Sequence, residues 1–134
     1  MVPVYDIAAS AGHGTYVDYE MQVAQLSLPR DYLRSLTSTG PDRLAIIRVK
    51  GDSMEPTLRD GDIVLVDGAK TSLGFDGLFV VEIDGTLHVK RLARSGKPNV
   101  VRVLSDNQLY PPVEYASGDV RVIGKVRWRG GPMG

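Results

Sequence analysis

Asp60-Gly61-Asp62-Ile63-Val64-Leu65-Val66-Asp67-Gly68 is the stretch that decides the fold, an aliphatic run with Asp-Gly at both ends. The same dipeptide returns at Asp76-Gly77 and Asp84-Gly85, so the pairs recur every seven to nine residues. Both residues tolerate positive φ, and short β-rich segments punctuated in this way predict hairpins in a compact, mainly antiparallel all-β fold. The pattern places strands near 44–50, 62–67, 77–83, 86–92, 98–104 and 119–129. In the last of these, Val120, Val122, Val126 and Trp128 fall on one face and Arg121, Lys125, Arg127 and Arg129 on the other. A basic face can bind an anion, but any half-buried strand alternates, and a solvated face is the simpler reading.

Working outward, residues 1–43 read differently from the rest. Ala8-Ala9-Ser10-Ala11-Gly12-His13-Gly14 has neither helical nor strand periodicity, as expected of an exposed, adaptable arm. After it, Ser27-Leu28-Pro29 precedes leucines 33 and 36, three residues apart, and this predicts one short helix. The expected organisation is an N-terminal arm over 1–43 and a core over 44–134. No internal repeat or low-complexity tract interrupts it.

A chain of 134 residues with 43% apolar content is enough for one hydrophobic core. Sixteen basic and sixteen acidic residues leave no net charge, so no overall field draws the chain to nucleic acid or an anionic membrane. The absence of cysteine excludes disulfides, thiolate catalysis and thiolate-bound metal, and fits a reducing cytoplasm. Apolar runs such as 44–47 and 63–66 are far too short to span a bilayer. A soluble cytoplasmic protein is expected. The aspartates at 60, 62, 67, 76 and 84 lack the spacing of a calcium loop and are read as turn residues, so no metal or other cofactor is expected.

The chemistry concentrates in Val49-Lys50-Gly51-Asp52-Ser53-Met54-Glu55-Pro56-Thr57-Leu58-Arg59-Asp60-Gly61-Asp62. Taken alone, Ser53 reads as a turn residue. Alternatively, Gly51 permits a sharp turn after a strand, which would present the Ser53 hydroxyl beside neighbouring amides able to stabilise an oxyanion. A serine nucleophile needs a base. Of two histidines, His13 lies in the small-residue stretch and His88 sits on a strand without an evident carboxylate to orient it, so a Ser-His-Asp triad is unsupported. Lys90 remains. It is either a solvated strand lysine or, if buried beside Ser53, an amine whose charged form is disfavoured enough to act as general base. Met54 is expected to pack beneath the turn.

Gly51-Asp52-Ser53-Met54-Glu55-Pro56, Asp60-Gly61-Asp62 with Ile63 to Val66, Val89-Lys90-Arg91-Leu92, Ser105-Asp106-Asn107 with Tyr110-Pro111, and Val122-Ile123-Gly124 follow one another in the order seen in the LexA and phage-repressor peptidase family. The sequence resembles that family over roughly residues 44–128. The resemblance implies a LexA-like peptidase fold, Ser53 as nucleophile, Lys90 as its base, and the backbone amides of Asp52 and Ser53 as the oxyanion site. It also implies a cytoplasmic homodimer that cuts an Ala-Gly or Cys-Gly bond in its own linker, stimulated by a RecA filament on single-stranded DNA. Ala11-Gly12 resembles that bond.

Members of the family usually carry a helix-turn-helix domain ahead of the peptidase. None is legible here, so the chain is expected to be a fragment of a repressor or a member of a branch lacking one, and DNA binding is expected only through such an absent domain. Three alternatives share parts of the pattern: a UmuD-like polymerase accessory protein, a non-cleaving dimerisation or sensing module, and a signal-peptidase-like protease. Ser53 to Leu58 suits the last, but no membrane anchor is legible and the segment from Ser105 to Pro111 resembles the repressor motif instead.

Overall fold

The computed structural model describes residues 2–9, 22–26 and 28–131, the first two spans as backbone strands. In chain order it contains β1 (Val2–Ala9), β2 (Gln22–Leu26), α1 (Arg30–Leu36), β3 (Leu44–Val49), β4 (Ile63–Asp67), β5 (Phe79–Ile83), β6 (Thr86–Arg94), β7 (Val100–Leu104), β8 (Val113–Ala116) and β9 (Arg121–Gly130). The strands lie in the order β2-β1-β3-β4-β9-β5-β6-β7-β8. Every neighbouring pair is antiparallel except β1 with β3. The architecture is the expected all-β one with one short helix, and the six strands read from sequence occur within two residues of their expected ends.

The Asp-Gly pairs behave less uniformly than their spacing implies. Asp84-Gly85 makes the expected two-residue hairpin between β5 and β6, with φ of 53° and 76°. Asp67-Gly68, in contrast, ends a strand flanked by β3 and β9 and is followed by the long connection to β5. Asp67 is fully buried and is no mere turn residue.

The core is packed on both faces of the central strands. Val80, Leu87 and Val89 face a cluster with Ile47, Val64, Val66, Met54 and Leu58. Phe79, Val81 and Leu92 face a second with Val101, Val103, Val120 and Val122. A third joins Leu33 of α1 to Leu44, Ile46 and Leu65, which seats the helix on β3 and β4. Leu33 is the buried residue of the helix and Leu36 packs beside it, and burying a side chain of this kind contributes about 1.5–3 kcal/mol.

The single apolar face expected for β9 does not exist. Its pairing slips beside Leu65/Val66 of β4 and again beside Val80/Val81 of β5, and each slip turns the following residues over. Val120 and Val122 therefore enter one cluster, Val126 another and Trp128 the third. The four basic residues of this strand each meet an acid: Arg121 with Glu82, Lys125 with Asp76, Arg127 with Asp67 and Arg129 with Asp62, at 3.2–3.9 Å.

Asp67 is the tie between the N-terminal segment and the sheet. Its carboxylate accepts from Thr37 Oγ1 (2.8 Å), Thr39 Oγ1 (2.7 Å), the Ala69 amide (3.0 Å) and Arg127 Nε (3.2 Å). Burial pushes its pKa up, but those donors outweigh burial and hold the carboxyl below its ordinary range. Removing one member of a buried pair strands the rest, so Asp67→Ala is expected to destabilise the fold by about 3–5 kcal/mol in urea denaturation. Asp67→Asn, which keeps an acceptor, is expected to cost less.

Candidate active site

The β3–β4 connection is closed at its base and plugged from within. The Val49 amide donates to Asp62 O at 2.7 Å and the Gly61 amide to Val49 O at 2.9 Å. Gly51 turns the chain at φ 89°, a conformation costly for other residues, and its amide donates to Asp60 Oδ1 at 2.7 Å. Met54 points inward, as expected, and Leu58 does too, at 2% and 1% exposure. Ser53, adjacent to Met54, is thereby held at the inner edge of the turn and is buried.

Lys90 reaches the same place from β6. That strand changes partners at this point: Lys90 is paired with Phe79 of β5, whereas Arg91 is paired with Leu104 of β7. The lysine is buried at 7% exposure. Its Nζ donates to Ser53 Oγ at 3.1 Å and to Ser105 Oγ at 2.7 Å, and lies 6.0 Å from the centre of the Tyr110 ring. The structure thus brings together Ser53 and Lys90, the residues singled out in the sequence. Burial pushes the Lys90 pKa below the ordinary lysine value, with the Asp106 carboxylate opposing it.

The segment after β7 supplies the remaining contacts. Asp106 binds Arg91 through Nε (2.8 Å) and Nη2 (3.2 Å) and accepts from Thr57. Burial raises its pKa, yet the Arg91 and Thr57 bonds prevail and keep it a carboxylate. Asn107 clamps the turn that carries Ser53, its amide donating to Ser53 O and its Nδ2 to Asp52 O, both at 3.0 Å. Tyr110 donates its hydroxyl to the Asp52 carboxylate. Among the described residues, the amides of Asp52 and Ser53 donate to no protein acceptor. The Asp52 carbonyl, by contrast, accepts from the Glu55 amide at 3.1 Å. Chemically, the arrangement offers a hydroxyl, an amine disposed to be neutral, and uncommitted amides beside them.

Sequence reasoning assigned no individual role to Thr57, Ser105, Asp106, Asn107 or Tyr110. Four of the five belong to the Ser105-to-Pro111 motif, but nothing in local periodicity says which atoms meet Lys90 or the turn. Ala11 and Gly12 lie outside the described residues. The described backbone of β1 ends at Ala9, paired with Val49. His88, two residues before Lys90, makes no hydrogen bond through its buried Nδ1 among the described residues. Also among the described residues, no group of three or more His, Cys, Asp or Glu is disposed to hold a metal ion, and no helix is long and apolar enough to cross a membrane.

The family model described as Peptidase S24-like matches residues 3–127. The chain belongs to this family. It is 38% identical over 112 residues to the 26 kDa repressor protein of Escherichia phage HK022, covering 81% of this chain and 47% of that protein. It is 32% identical over 137 aligned positions to the HTH-type transcriptional regulator PrtR of Pseudomonas aeruginosa, covering 95% and 52% respectively. An uncharacterized HTH-type transcriptional regulator of Haemophilus influenzae is 27% identical over 124 positions, covering 90% and 51%. The S24-like chain thus spans about half the length of these curated relatives. These matches agree with the LexA and phage-repressor resemblance.

His88 makes the stability of this S24-like domain depend on pH. Burial first, and the nearby Lys90 second, lower its pKa from 6.5 to about 4, with Asp84 opposing. Between those values the unfolded chain binds a proton that the folded chain refuses, so stability is expected to fall as pH drops from 6.5 through 4. His88→Gln should lose less of its urea midpoint over that interval than the parent protein. Parallel losses would assign the acid sensitivity to other groups.

Proposed function

We propose that this chain is the peptidase and dimerisation domain of a LexA-like or phage-type transcriptional repressor, and that it inactivates repression by cutting itself between Ala11 and Gly12. The observation carrying this reading is the 3.1 Å contact between the buried Lys90 amine and the buried Ser53 hydroxyl. Neutral Lys90 takes the Ser53 proton as Oγ bonds to the Ala11 carbonyl carbon. The Asp52 and Ser53 amides receive the resulting oxyanion. Collapse of the intermediate breaks the Ala11–Gly12 bond, Lys90 returns the proton to the departing Gly12 nitrogen, and water then hydrolyses the Ser53 ester.

The course of β1 supports the choice of bond. It runs parallel to β3 so that Ala9 pairs with Val49, four residues before Ser53, and Ala11 follows Ala9 by two. Two residues span at most about 7 Å of chain, so the distance along the chain from the described end of β1 is compatible with this choice. Cleavage within one molecule converts an encounter into a local step. The names of the phage and Pseudomonas relatives support a regulator as the setting. In this reading the domain acts as a cytoplasmic homodimer, DNA is bound by a segment outside this chain, and a RecA filament is the trigger to test first.

Ser53→Ala, Lys90→Ala and the double variant are each expected to abolish self-cleavage to a similar extent, because the two groups share one proton transfer. In the parent chain the rate is expected to rise with pH toward the Lys90 folded-state pKa and then level off, since only the neutral amine accepts the proton. Mass spectrometry should find a product beginning at Gly12, formed at a rate independent of protein concentration. Mixing Ser53→Ala protein with an active, cleavage-site-mutated partner tests for exchange between subunits. Full cleavage by folded Lys90→Ala, or a rate that peaks near pH 6 and then falls, would overturn the lysine's role.

A further inference from the structure

Lys90 meets two hydroxyls, and the chemistry just proposed uses one. The other is the closer: Ser105 Oγ lies 2.7 Å from Nζ, against 3.1 Å for Ser53 Oγ. Ser105 directly follows β7, whose last residue, Leu104, is paired with Arg91, the residue after Lys90. On its other side the chain is tied down by Asp106 to Arg91 and Thr57, and by Asn107 to the backbone of the nucleophile turn. The Ser105 hydroxyl is therefore held between two fixed points.

A neutral amine has two N–H bonds and one lone pair, and rotation about its terminal C–N bond can present any of the three to Ser53. An N–H aimed at Ser53 Oγ makes Lys90 a donor and unable to receive the proton. An acceptor on the opposite side changes that balance by engaging one N–H. We propose that Ser105 is a positioning residue, whose hydroxyl accepts an N–H of Lys90 and holds the amine so that its lone pair is available to Ser53. This inference rests on the reading of Ser53 and Lys90 as nucleophile and base. The protonated lysine donates to both hydroxyls; on losing a proton it keeps the shorter bond, to Ser105. The proton later taken from Ser53 returns to the leaving nitrogen, and Ser105 keeps its own hydrogen throughout.

The charged and titratable groups around Lys90 come from three elements. His88 and Arg91 lie on its own strand, Asp106 and Tyr110 on the segment after β7, and Asp52 on the nucleophile turn, where it holds Tyr110. Asp84 acts on His88, and Phe79 is the cross-strand neighbour from β5. Ser105 carries no charge, so its removal leaves the electrostatics of this set unaltered apart from one hydrogen bond to the amine.

The test compares the full chain with Ser105→Ala and Ser105→Thr by two measurements: self-cleavage rate across pH, and titration of the Lys90 ε-carbon by NMR, which needs no cleavage. Ser105→Ala is expected to lower the plateau rate about 10- to 100-fold, the scale of a misplaced general base. It is also expected to move the Lys90 titration to lower pH, because the ammonium loses an acceptor. Ser105→Thr, which restores a hydroxyl, should recover both. An unmoved Lys90 titration in Ser105→Ala overturns the inference, whatever happens to the rate. So does an unchanged rate in a chain that cuts itself normally. A parent chain that never cuts itself defeats the dyad reading, while the NMR titration still decides whether Ser105 holds the amine.

Discussion

Keeping the Lys90 amine out of water is the constraint on which the surrounding structure depends. A lysine at 7% exposure needs acceptors for its N–H bonds, and an unmatched one would relax toward solvent or distort the strand. Two hydroxyls, from Ser53 and Ser105, meet that need without bringing a second charge into contact. β6 makes the burial feasible by being packed on both faces, with Leu87 and Val89 in one cluster and Leu92 in another. Its change of partner between Lys90 and Arg91 places the lysine where β5 and β7 meet and where the Ser53 turn can reach it.

The carboxylate closest in effect is kept from acting as a full counterion. Asp106 opposes the loss of the lysine's charge, but its oxygens are engaged by Arg91 and Thr57. A direct Asp106–Lys90 ion pair would instead favour the ammonium. The order Lys90-Arg91 therefore has a physical reading: the first residue turns inward to the hydroxyls, and the second draws the acid to itself. The turn that carries Ser53 is constrained from two sides in the same spirit. Met54 and Leu58 anchor it in the core, and Asn107 and Tyr110 grip its outer backbone and Asp52.

Legibility in the sequence followed burial. Strands with a strong aliphatic pattern, such as 63–67 and 79–83, could be placed because both faces are packed and the composition shows it. β8 was not read because Val113, Glu114 and Ala116 are exposed on the outermost strand of the sheet, where no burial imposes a pattern. β1 and β2 fall within residues 1–43, where no strand pattern is legible; a parallel strand such as β1 need not carry a hairpin signal. The faces of β9 were misread because a slip in pairing cannot be seen in one strand's alternation; it depends on what the neighbouring strands require.

Residue order alone carried the all-β class, the short helix, and Ser53 and Lys90 as the pair worth watching, because β-propensity, Asp-Gly chemistry and ordered motifs are local properties. Tertiary structure decided the rest. It turned Asp67 from an assumed turn residue into the buried tie between Thr37, Thr39 and Arg127, and it gave Ser105 a place beside Lys90. It also converted the basic stripe of β9 into four separate ion pairs. These outcomes depend on atoms brought together from segments 15 to 67 residues apart, and on how much water remains between them. Desolvation and hydrogen-bond geometry are properties of an assembled volume, which no single stretch of chain contains.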